Sequence, residues 1–110
     1  MRHLTFDEIS PTDLERVREH LHANAIPGPL EGIYFVEVPE HTLSATQKAH
    51  ADCKPFCFAM ELGDTWIRME LLVRSRRILH CSCIAYANRA QTDFVLGFGE
   101  DMVRACGIRT

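Results

Sequence analysis

FCFAMELGDTWIRMELLVRSRRILHCSCIAY, residues Phe56 to Tyr86, is the stretch on which the fold turns. Phe56 to Leu62 and Thr65 to Arg74 alternate apolar and polar side chains, the period-two pattern of half-buried strands. Gly63-Asp64 lies between them, and glycine first in a two-residue loop suits a type II′ hairpin turn. A tight turn sets register. Met60 then opposes Ile67, Phe58 opposes Met69 and Phe56 opposes Leu71, which makes one sheet face wholly apolar. After the polar corner at Ser75-Arg76, Arg77 to Tyr86 reads as a third strand. A two-residue loop there would put His80 and Ser82 on the apolar face. A three-residue loop, Ser75 to Arg77, puts Leu79, Cys81, Cys83 and Ala85 there instead, and is preferred because it leaves polar groups unburied, although it lacks the favoured glycine.

The flanking segments supply helices. Ser10 is a natural N-cap, Pro11 suits the first helical position, and Asp13 is spaced to close a capping box. Ile9 and Leu14 are placed as a hydrophobic staple, Leu14, Val17, Leu21 and Ala25 line one face, and Pro27-Gly28-Pro29 ends the element. Gly32 to Val38 reads as a strand stopped by Pro39. A short helix is expected over Ala45 to Cys53, with Ser44 and Gln47 as its capping box. Asn88 with Gln91 starts a last helix that runs to Cys106 and ends at Gly107, with Val103 and Ile108 spaced for a Schellman contact. The order α-β-(α)-β-β-β-α predicts one α+β domain over residues 1–110. Its antiparallel sheet has three to four strands from two consecutive hairpins, packed by the N- and C-terminal helices.

Composition bounds the function. Of 110 residues, 46% are apolar and 25% charged, enough for one buried core without staples. The net charge of −3 gives no general attraction to nucleic acid or acidic membranes. No apolar run approaches the roughly 20 residues that cross a bilayer, and the first ten residues do not read as a signal peptide. Five cysteines, an odd number, fit reduced thiols in the cytoplasm better than a disulfide framework.

Four of those cysteines and two of six histidines fall between His50 and Cys83, as His50-x-x-Cys53-x-x-x-Cys57 and His80-Cys81-x-Cys83. Thiolate and imidazole are the usual ligands of zinc and the usual nucleophile–base pair. Sorted by sheet face, however, Cys81 and Cys83 fall on the core side. There they make with Ala85 a small-residue strip that the glycines of the last helix, Gly97 and Gly99, can approach: a cysteine-rich core. An extended Cys-x-Cys also separates its Cα atoms by roughly 6.6 Å, wider than the ~4.6 Å limit for two sulfurs on one zinc. A four-cysteine site is excluded on this reading. The metal candidates are Cys57, Glu70 and His80, completed by His50 or Cys53, which share a helical face.

The opposite face carries Trp66, Arg68, Glu70, His80 and Tyr86, a mixture neither plain core nor plain surface. The expectation is a non-enzymatic binding module, acting as a homodimer, whose mixed face takes a protein partner or a small anionic ligand held by Arg68. No catalytic residue and no cofactor are assigned. The alternative is a metal- or thiol-dependent enzyme centred on Cys57, Glu70 and His80, with zinc as its metal.

Overall fold

Ser10 accepts a hydrogen bond from the Asp13 N–H at 3.1 Å and opens α1 (Pro11–Asn24), as its sequence predicts. Leu14, Val17 and Leu21 are buried along one stripe of this helix. Ser44 caps α2 (Ala45–Ala49) and Asn88 caps α3 (Arg89–Ala105), each through a complete capping box, with Gln47 and Gln91 returning the bond to the cap. At the far end of α3 the predicted Schellman motif is present. Gly107 takes φ +71°, Ile108 N–H donates to the Val103 carbonyl at 2.9 Å, and both apolar side chains are buried.

In the computed structural model, which describes residues 1–110, these helices combine with seven antiparallel strands. The strands are β1 (His3–Phe6), β2 (Ile26–Pro27), β3 (Ile33–Glu37), β4 (Phe56–Leu62), β5 (Ile67–Glu70), β6 (Leu72–Ser75) and β7 (Ala85–Tyr86). Their order is β1-β5-β4-β3-β2, with β6 continuing alongside β4 and carrying β7 on its outer side. The α+β class matches the sequence expectation, whereas three to four strands was too few. β1 and β2 are four and two residues long, too short for alternation to register.

The helices cover one face of the sheet. Leu21, Val95 and Met102 meet Tyr34, Phe58, Met60, Ile67 and Met69 in a continuous apolar cluster. Phe58 meets Phe94 and Phe98 edge-on, at centroid distances of 6.2 and 6.0 Å. Gly99 permits the close approach: a Cβ there would lie 2.7 Å from both Met69 Sδ and the Phe6 ring. Gly97 has open space beside it, and neither glycine's close neighbours include Cys81 or Cys83. No helix is long and apolar enough to cross a membrane.

Both hairpin registers differ from expectation. Met60 pairs with Met69 and Leu62 with Ile67, a slip of two that keeps the apolar face but widens the turn to Gly63–Trp66. The Trp66 indole lies where a Gly63 Cβ would stand, 2.0 Å from the ring, so this glycine makes room for an aromatic and is not the hinge of a type II′ turn. In the second hairpin, β6 pairs with Ala85–Tyr86 alone, Val73 against Ala85 and Leu72 against Tyr86. Arg76 to Ile84 is therefore a long loop, and the expected strand Arg77–Tyr86 is reduced to its last two residues. Cys81 and Cys83 are not strand residues, and the expected core strip does not form. The missing turn glycine was the available sign.

Candidate metal centre

His50 closes the last turn of α2 and starts a single 3₁₀ turn, Ala51–Cys53. The Cys53 N–H donates to the His50 carbonyl at 2.9 Å, so residues three apart present both side chains to one side. Across from them the loop turns back at Cys81, whose carbonyl accepts from the Ile84 N–H at 3.1 Å. The result is a cluster of His50, Cys53, Cys81 and Cys83 whose ligating atoms all lie within 4.8 Å of one another. His50 Nδ1 is 3.1 Å from Cys81 Sγ. Cys53 and Cys83 are buried, while His50 and Cys81 are half-buried beside a cavity of about 380 Å³.

Three thiols and an imidazole form a donor set of structural zinc sites. A regular tetrahedron with arms of 2.3 Å has edges of about 3.8 Å, so the donors need close by an ångström at most around one ion. The Cys-x-Cys objection raised for a strand does not apply to this turn, where the two sulfurs lie within 4.8 Å of each other.

Hydrogen bonds prepare the charge. The Cys81 thiol is lowered to about 6, first by the Cys83 backbone N–H directed at its sulfur, then by the Cys83 thiol, with smaller help from His50 and Cys53. The Cys83 thiol is pushed up to about 12, chiefly by burial and by the neighbouring cysteines. One thiol of the pair thus ionises readily while the other holds its proton.

The backbone around the cluster is also fixed. Gln47 Nε2 donates to the Cys83 carbonyl at 3.2 Å, and Gln91 Nε2 donates to Gln47 Oε1 at 2.8 Å, with both glutamines buried. Ser75 Oγ donates to the Cys53 carbonyl and accepts from the Arg77 and Ile78 N–H groups at 3.1 and 3.0 Å. Outer-shell partners of this kind orient ligands. Gln47 and Gln91 were legible as capping residues, but nothing in their spacing signals the bridge to Cys83.

The predicted site residues are divided. His50 and Cys53 belong to the cluster; Cys57, Glu70 and His80 do not. Cys57 is fully buried in β4, where burial raises its thiol to about 11. Glu70 accepts from Arg74 Nε at 2.7 Å, and His80 is exposed in the loop. Arg68 lies over the Trp66 ring at 4.4 Å and 4.0 Å from Glu61, with its Nε buried and without a hydrogen-bond partner. Tyr86 sits apart at β7 beneath the Arg2 guanidinium, 4.3 Å away. No protein-family model, no curated protein and no solved structure matches this chain.

Proposed function

We propose that this chain is a zinc-bearing binding module, in which His50, Cys53, Cys81 and Cys83 hold one structural ion beside an open, mixed sheet face. The carrying observation is that two segments 28 positions apart bring four soft donors within 4.8 Å of one another. Four protein donors complete a tetrahedral sphere and leave no position for substrate, which favours a structural over a catalytic ion. The proposed ion pins the loop Arg76–Ile84 to the end of α2.

Elemental analysis of protein purified without chelator tests this. About one zinc per chain is expected, falling below about a tenth in Cys81→Ser and Cys83→Ser. Cobalt substitution should give the strong visible bands of a tetrahedral thiolate site. A metal-free wild-type protein with no cobalt spectrum sinks the proposal.

A second reading, thiol chemistry, rests on the readily ionised Cys81 lying 3.1 Å from His50 Nδ1 beside a cavity. It moves the enzymatic alternative from Cys57 to Cys81. Zinc protection of Cys81 against alkylation separates the two, because an ion-bound thiolate is no free nucleophile.

A further inference from the structure

The face of the sheet turned away from the helices bears a cavity of about 490 Å³, within the usual range for small-molecule sites. Its floor is apolar, made by Ile33, Phe35 and Ala59. Its walls carry Arg74, Arg76 and Arg77 against the single carboxylate of Glu70, leaving two positive charges in excess in a chain whose net charge is −3. Arg74 is paired with Glu70, but Arg76 and Arg77 have no carboxylate partner. The Arg76 guanidinium is stacked on the Phe35 ring at 4.2 Å, which holds its plane and leaves its N–H edge free for a bidentate acceptor. A second hollow of about 230 Å³ adjoins, sharing Ile33, Ala59 and Glu70 but adding Met1, His3, Glu61 and Arg68. The trough therefore has an end with two unpaired arginines and an end of mixed charge over one apolar floor.

We infer that this trough binds a phosphate monoester with a flat apolar body, its phosphate at Arg76 and Arg77 and its body over Phe35, Ile33 and Ala59. A phosphate monoester carries about −1.5 to −2 charges at neutral pH, matching the two unspent guanidinium groups. A monocarboxylate would leave one of them unmatched. Arg76 and Arg77 set the polarity, since at the other end Arg68 already faces the carboxylates of Glu61 and Glu70. The inference names a ligand class for the mixed face and does not need the zinc ion.

The test is calorimetric titration of the full chain, as purified, with 1-naphthyl phosphate, 1-naphthol and inorganic phosphate, with zinc content measured on the same samples. Expected is one-to-one binding of 1-naphthyl phosphate with a Kd near or below about 1 mM, and at least about tenfold weaker binding of the other two. Arg76→Gln and Phe35→Ala should each weaken 1-naphthyl phosphate about tenfold while the helical circular dichroism is unchanged. Inorganic phosphate binding as tightly as the ester, or binding indifferent to Arg76→Gln, overturns the inference, as does no binding at roughly 10 mM ester. Zinc-free protein that gives no cobalt spectrum yet still binds the ester would overturn the metal reading alone.

Discussion

At Cys81 a backbone N–H and neighbouring thiols point at the sulfur, and its thiol sits near 6; at Cys57 burial dominates, and its thiol sits near 11. The sign follows directly. Above about pH 6 metal-free Cys81 is a thiolate, and Cys57 stays protonated through neutral pH. In reduced, metal-free protein, ultraviolet thiolate absorbance should rise by one equivalent through pH 6 and not in Cys81→Ser. Iodoacetamide at neutral pH should label Cys81 first and the buried Cys57 and Cys83 slowest, read by peptide mass spectrometry. Equal labelling of Cys57 and Cys81 would contradict the assigned environments.

Among the helices, the two glycines of α3 make a paired prediction. Gly97 meets nothing within 4 Å, so Gly97→Ala should stabilise by about 0.5–1 kcal/mol, the helix propensity difference. Gly99 faces buried Met69 and the Phe6 ring, so Gly99→Ala should cost about 1–3 kcal/mol through overpacking, measured by urea denaturation. Helix ends were the most legible elements, because Ser10, Ser44, Asn88 and Gly107 act through bonds three to five residues away. The first hairpin was legible by face but not by register, since a slip of two leaves the alternation unchanged. The second was misread because Leu79, Cys81, Cys83 and Ala85 alternate as strand residues do. In the fold, two of them serve a cluster formed with His50 and Cys53, a long-range demand that local pattern does not carry.

For the whole molecule, the proposed ion would close a loop of 28 positions from Cys53 to Cys81. Treated as a cross-link, closure is worth about 3–4 kcal/mol, or a fall of about 10 °C or more in thermal midpoint when a chelator removes the metal. Of the 20 residues of the helix–sheet core only Cys53 and Cys83 are proposed ligands, so the metal-free chain should stay folded at 25 °C, with unchanged far-ultraviolet circular dichroism. No shift in midpoint with chelator would argue against an ion at this site.

The Gln47–Gln91 bridge has a kinetic side. Both glutamines are placed by capping boxes, which form from neighbours in sequence, and their joined amides hold the Cys83 carbonyl without any metal. Local turns close in microseconds or less, well before segments tens of residues apart dock. The proposed ion would then meet donors already drawn together once α2 and α3 have docked through this bridge, rather than acting as the nucleus around which the chain collapses.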